Sequence, residues 1–162
     1  MLDAKMKKIL YMLIGPKGSG KTYIGTLIEN NTSIVFLRVE PIWLNLLVNE
    51  NGWDKVEAEI DNSFEKYNEI MIENLGIGDG FNLFHRSLKR KYNIKMIRVF
   101  SDLDTCFKRV QFRDKRNHIP ISDDKVHEYN TIASQVSFNW SLIIDNNGPA
   151  TDSEIIEMIK SI

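Results

Sequence analysis

Eight consecutive residues carry the clearest chemistry in the chain: Gly15-Pro16-Lys17-Gly18-Ser19-Gly20-Lys21-Thr22. They fit the spacing G-x-x-x-x-G-K-[ST] in full. Such a loop turns backbone N–H groups inward around phosphate oxygens, and glycine permits the positive φ and close approach this needs. Lys21 is spaced to reach the β- and γ-phosphates of a nucleoside triphosphate, and the Thr22 hydroxyl to ligate Mg²⁺. A helix opening near Gly20 would aim the positive end of its dipole at the same phosphates. A dinucleotide fingerprint fits worse, because Tyr23 stands where a third glycine or alanine is required.

A second group of charges follows much later. Arg109, Arg113 and Arg116 fall at i, i+4 and i+7, which on a helix gathers three guanidiniums on one face. Arginines stabilise the negative charge that phosphoryl transfer spreads over equatorial oxygens. The same spacing also describes a solvated basic helix face. Arg116 precedes Asn117-His118-Ile119-Pro120, a stretch suited to a lid. His118 reads as a loop residue, and His85 and His127 lack the spacing of metal ligands. Cys106, the single cysteine, reads as a small apolar filler.

The elements that must position these residues alternate. The six-residue apolar run from Ile9 to Ile14, bounded by lysine and glycine, predicts a strand over Lys8 to Ile14 buried on both faces. It is too short for a membrane span or a signal peptide's apolar region. A helix from about Gly20 to Glu29 follows, then a strand from Ser33 to Val39. Helical periodicity covers about Trp43 to Tyr67, broken near Asn51-Gly52, with Trp53, Val56, Ile60, Phe64 and Tyr67 on one face. Ile70-Met71-Ile72 is a weaker strand, followed by Gly76, Gly78, Gly80 and a helix from about Phe81 to Lys91. Strands are expected at Lys95–Phe100 and Phe138–Ile144. Between them, Ser101 to Asp104 suggests a capping box, and Ser122 starts another helix. The last segment places Ile155, Ile156 and Ile159 on a helix face. Alternating strands and helices predict a mostly parallel sheet, with ligands beyond its carboxyl edge.

At 162 residues the chain suits one domain, 1–162, and its 43% hydrophobic content suffices for a core. A net charge of −1 gives no basic field to attract nucleic acid or a membrane surface. One cysteine excludes an internal disulfide and points to a reducing, cytoplasmic setting.

With its phosphate loop and element order, the chain resembles the P-loop kinases of small metabolites, the group of nucleoside monophosphate kinases and shikimate kinase. That resemblance implies a three-layer α/β/α fold with a five-stranded parallel sheet of order 2-3-1-4-5. It also implies transfer of the γ-phosphoryl group of Mg-ATP to a small-molecule acceptor, and an arginine-bearing lid near residues 109–122, with Arg113 and Arg109 foremost. The guanine-selecting Asn-Lys-x-Asp motif is absent, which favours ATP. By the same resemblance, Glu73 after the third strand is the candidate acid near Mg²⁺, or else a surface carboxylate on a helix end. Glu40, after the second strand, would contact substrate and orient its hydroxyl, or simply precede the turn at Pro41. Arg38 could bind an anionic substrate group or pair with a neighbouring acid. The glycines from Gly76 to Gly80 would form a substrate loop or a plain turn. Asn146 would contact adenine, or belong to an ordinary Asn-Gly turn. A regulatory nucleotide switch with weak ATPase activity and a kinase of nucleic-acid ends are the competing classes; the basic cluster Arg86, Lys89, Arg90 and Lys91 permits the latter. The protein is expected to be a monomer or a homodimer.

Overall fold

The computed structural model describes residues 8–113, 118–148 and 150–162. Five parallel strands form one sheet in the order β2-β3-β1-β4-β5, as the resemblance implies. They are β1 (Ile9–Ile14), β2 (Val35–Phe36), β3 (Glu69–Asn74), β4 (Asn93–Phe100) and β5 (Leu142–Asp145). Seven helices lie among the described residues: α1 (Lys21–Asn31), α2 (Glu40–Leu44), α3 (Gly52–Phe64), α4 (Gly78–Lys89), α5 (Leu103–Phe112), α6 (Asp123–Gln135) and α7 (Asp152–Lys160).

The pleat sorts the central strands between two cores. Side chains alternate across a sheet. Leu10, Met12 and Ile14 of β1 join Ile70 and Ile72 of β3 in one core, beneath Val56, Ile60 and Phe64 of α3 and Phe81, Phe84 and Leu88 of α4. Tyr11 and Leu13 join Met71 in the other, with Ile24 and Ile28 of α1 and Ile155 and Ile159 of α7. Leu10, Met12, Leu13 and Ile14 are fully buried, which is why β1 reads as a continuous apolar run rather than an alternating one.

Several boundaries differ from the sequence expectation, and at β2 and β5 the reason is edge position. β2 is two residues long rather than Ser33–Val39: it pairs on one side only, and after the Leu37 N–H donates to Met71 O the chain turns into α2 with Pro41 in its first turn. At the other edge, β5 begins at Leu142 because its pairing with β4 starts at Leu142 opposite Ile97. Phe138 and Trp140, expected in that strand, pack against the first core from outside it. β3 is longer than Ile70–Ile72, because β1 pairs with it along its whole length. The periodic stretch from Trp43 to Tyr67 divides into α2 and α3, with Asn51 capping α3 by accepting the Asp54 N–H at 3.2 Å. Tyr67 lies beyond α3 and is exposed. Ser122 and Thr151 cap α6 and α7 through the N–H groups of Lys125 and Glu154. The capping box at Ser101 does not form: Asp102 is the N-cap, without a side-chain bond, and Ser101 points inward. No helix among the described residues is long and apolar enough to cross a membrane.

Candidate active site

The loop Gly15–Gly20 joins the central strand to α1 at the carboxyl edge of the sheet. Gly18 (φ 85°) and Gly20 (φ 103°) occupy the left-handed region. A Cβ on Gly18 would also collide with the Cys106 carbonyl, so only glycine fits. The Ser19 N–H donates to Pro16 O at 3.2 Å. The N–H groups of Gly18, Gly20, Lys21 and Thr22 make no hydrogen bond among the described residues. Backbone donors without partners among the described residues, at a helix start, fit an anion.

Lys21 is buried and donates to Gly15 O and Pro16 O, each at 2.7 Å. Burial lowers its pKa to about 8, with Glu73 opposing the shift and Lys17 adding to it. On α1, the Thr22 hydroxyl donates to both carboxylate oxygens of Glu73, at 2.9 and 2.8 Å. The pleat explains this pairing: Glu73 lies two residues beyond Met71, on the face of β3 that meets α1. Glu73 is 5% exposed and within β3, which continues through Asn74, so it is neither at the strand end nor on a helix surface. A hydroxyl and a carboxylate in contact form an oxygen donor set that suits Mg²⁺.

A cavity of about 440 Å³ runs from this loop across the carboxyl edge. Lys17, Lys21, Thr22 and Glu73 line one part, and Glu40, Arg113 and His118 another. Trp43 and Trp53 give it an aromatic wall, their rings edge-to-face at 5.1 Å. Glu40 is the first residue of α2 rather than the end of a strand. It accepts the Ile119 N–H at 3.1 Å and meets His118 Nδ1 at 3.2 Å. Burial would raise the Glu40 pKa, but the Ile119 N–H, the Lys17 ammonium and His118 together hold it below the usual value. Burial lowers the pKa of both Lys17 and Arg113, with Glu40 opposing it in each case.

Arg109 and Arg113 do not share a helix face. α5 stops at Phe112, and Arg113 leaves it in an extended conformation (φ −77°, ψ 156°). Arg116 and Asn117, with the centre of the expected lid, lie outside the described residues. Arg109 and Arg113 still reach the same cavity. Arg109 also braces the loop, donating to Gly18 O (3.2 Å), Ser101 Oγ (3.1 Å) and Asn146 O (3.0 Å). Asn146, expected at adenine, donates through Nδ2 to Ser19 O at 2.8 Å. Arg38 does not line the cavity; its guanidinium sits 5.8 Å over the Phe36 ring. Leu75 and Ile77 line the cavity beside the glycine run, in which Gly76 and Gly78 take positive φ. Cys106 is fully buried, as an apolar filler should be.

Sequence reasoning missed Asn130. On α6 and 3% exposed, it accepts the Lys17 N–H at 2.8 Å and donates to Lys17 O at 2.9 Å. The available signal was an asparagine at helical spacing between the buried Val126 and Ala133. The basic cluster at the end of α4 lies near the start of β4, at the opposite edge of the sheet from the phosphate loop. Lys91 is there bridged to Glu57 and Asp61, each at 2.8 Å.

No protein-family model and no curated protein sequence matches the chain. Solved structures do match it. A protein from Chloroflexus aurantiacus j-10-fl aligns over 96% of this chain and 98% of its own, at 11% identity and a TM-score of 0.70. The APS kinase of Mycobacterium tuberculosis, solved with AMPPNP and APS, aligns over 96% and 97%, at 12% identity and a TM-score of 0.60. Shikimate kinase from Acinetobacter baumannii, solved with shikimate, aligns over 99% and 93%, at 16% identity and a TM-score of 0.57. Identities this low speak to fold. With its sheet order, its phosphate loop and these likenesses, the chain has the three-layer α/β/α fold of the P-loop small-molecule kinases.

Proposed function

We propose that the protein is an ATP-dependent kinase that phosphorylates a hydroxyl or phosphate group of a small metabolite. The observation that carries this reading is the continuous cavity, with a glycine loop and buried lysine in one part and Glu40, Arg113 and an aromatic wall in another. A hydrolase or switch needs only the first part; an acid, an arginine and an aromatic wall lining the same cavity favour transfer to an acceptor. The likeness to APS kinase and shikimate kinase supports the same reaction class.

In this reading Gly15–Thr22 hold the phosphates, while Thr22 and Glu73 hold Mg²⁺. Bound Mg-ATP supplies the phosphoryl group and the metal that neutralises its charge. Lys21, Lys17 and Arg113 stabilise charge on the transferring group, and Arg109 holds the loop beneath it. The depressed pKa makes Glu40 a poor proton acceptor. Its role is therefore to orient the acceptor hydroxyl, which suffices where the transition state is loose. Trp43, Trp53 and Ile77 exclude water from the acceptor. Residues 109–122 act as the lid, and the working form is a monomer or homodimer in the cytoplasm.

The test is ADP formation from Mg-ATP across a panel of sugars, sugar acids, nucleosides and nucleotides. One acceptor should raise the rate sharply, and Lys21→Ala should lower that rate by orders of magnitude without loss of fold. Slow turnover indifferent to every acceptor would favour a nucleotide switch instead.

A further inference from the structure

Three successive carbonyls of the phosphate loop are each held by a side chain from another element. Asn130 on α6 donates to Lys17 O at 2.9 Å, and Arg109 on α5 to Gly18 O at 3.2 Å. Asn146, after β5, donates to Ser19 O at 2.8 Å, where Ser101 Oγ also lies at 3.4 Å. The consequence follows from peptide geometry. A peptide unit is planar, and in its trans form the C=O and the following N–H point in opposite directions. There are no cis bonds among the described residues. Holding Lys17 O outward therefore turns the Gly18 N–H inward, and holding Ser19 O outward does the same for the Gly20 N–H. Those two N–H groups belong to the positive-φ glycines and have no partner among the described residues. The middle carbonyl differs, since the N–H that follows it, that of Ser19, already donates to Pro16 O.

We propose that Asn130 and Asn146 are paired positioning residues that set the peptide planes of Lys17–Gly18 and Ser19–Gly20, so that both glycine N–H groups face the bound phosphates. Neither asparagine touches the phosphates. The assignment rests on the nucleotide-binding reading above and extends it to two residues outside the loop motif. The amide of Asn130 is uniquely suited, because it accepts and donates at once: Oδ1 takes the Lys17 N–H and Nδ2 serves the Lys17 carbonyl. Without such a hold, glycine's freedom lets the peptide rotate and present its carbonyl, the negative end of its dipole, to an anion.

The experiment measures the affinity of AMPPNP with Mg²⁺ by calorimetry at about pH 8 for wild type, Asn130→Leu, Asn146→Leu and Asn146→Gln. Leucine keeps the bulk of asparagine but cannot donate to the carbonyl, whereas glutamine keeps the amide donor. Each leucine variant should bind about tenfold or more weakly than wild type, and Asn146→Gln should recover most of the affinity. A residue that merely packs would be replaced as well by leucine as by glutamine, and that result overturns the proposal. Equal affinity of the folded leucine variants and wild type also overturns it, while leaving nucleotide binding intact. Failure of the wild type to bind overturns the nucleotide reading and this proposal with it. Asn146 is half-buried, so its variants carry the test if the substitution at the buried Asn130 prevents folding.

Discussion

Lys21 shows how one residue's surroundings set its chemistry. In the free protein its pKa is lowered from 10.5 to about 8, chiefly by burial. Between those two values the folded protein holds fewer protons than the unfolded chain, so the Lys21 contribution makes stability rise with pH across that window. A phosphate beside the ammonium acts in the opposite sense and raises the pKa. Nucleotide binding should therefore take up a proton near pH 8 and weaken as the pH climbs beyond it. Calorimetry in two buffers with different ionisation heats measures the uptake, and Lys21→Ala should abolish it. Identical heats in both buffers at pH 8 would separate Lys21 from the anion. The partnership of Thr22 with Glu73 makes a second prediction. Glu73→Gln keeps an oxygen acceptor for the Thr22 hydroxyl but removes the charge. It should raise the Mg²⁺ concentration needed for half-maximal activity by about tenfold or more, consistent with the loss of a charged interaction. An unchanged Mg²⁺ dependence would leave Glu73 a purely structural partner of Thr22.

At the scale of elements, close packing of α1 on the sheet aims the phosphate loop. Ile24, Gly25 and Ile28 are buried, and a Cβ on Gly25 would meet the Phe36 ring at 2.5 Å. The missing side chain lets α1 lie close over β2. Gly25 has an ordinary helical backbone, so a substitution there acts through space rather than through φ. Gly25→Val should destabilise the protein by about 1–3 kcal/mol, the usual cost of overpacking a core. Urea unfolding would show this as a lower midpoint with an unchanged slope. A variant as stable as wild type would mean that Phe36 rotates away freely. The same close approach explains why β2 can be short: α1, β3 and the buried Phe36 ring hold it without a long ladder.

In the whole molecule, two apolar cores share one sheet, and the phosphate loop is tied to four separate parts of the chain. Through Asn130, Arg109, Ser101 and Asn146, the loop connects α6, α5, the end of β4 and the end of β5. A ligand that fills the loop should stabilise the entire fold. At a concentration of about 100 times Kd, binding contributes about 2.7 kcal/mol. For a domain of this size that corresponds to a rise in Tm of about 5–10 °C. Thermal unfolding with and without AMPPNP and Mg²⁺ reads this directly, and Lys21→Ala should lose most of the shift. A wild-type Tm indifferent to the nucleotide would detach the loop from the reading given to it.

The phosphate loop, the buried first strand and the parallel character of the sheet were legible in the sequence, because each rests on local rules, whereas the strand order came from the resemblance. Glycine spacing, an unbroken apolar run and strand–helix alternation need no knowledge of distant partners. The pairing of Thr22 with Glu73, the departure of Arg113 from its helix and the hold of Asn130 on Lys17 were decided only by tertiary structure. Helical spacing put Arg109 and Arg113 on one face, but where a helix stops depends on what it packs against. Asn130 and Lys17 lie 113 positions apart. No local pattern encodes their meeting; it arises when sheet order and helix packing bring α6 against the loop.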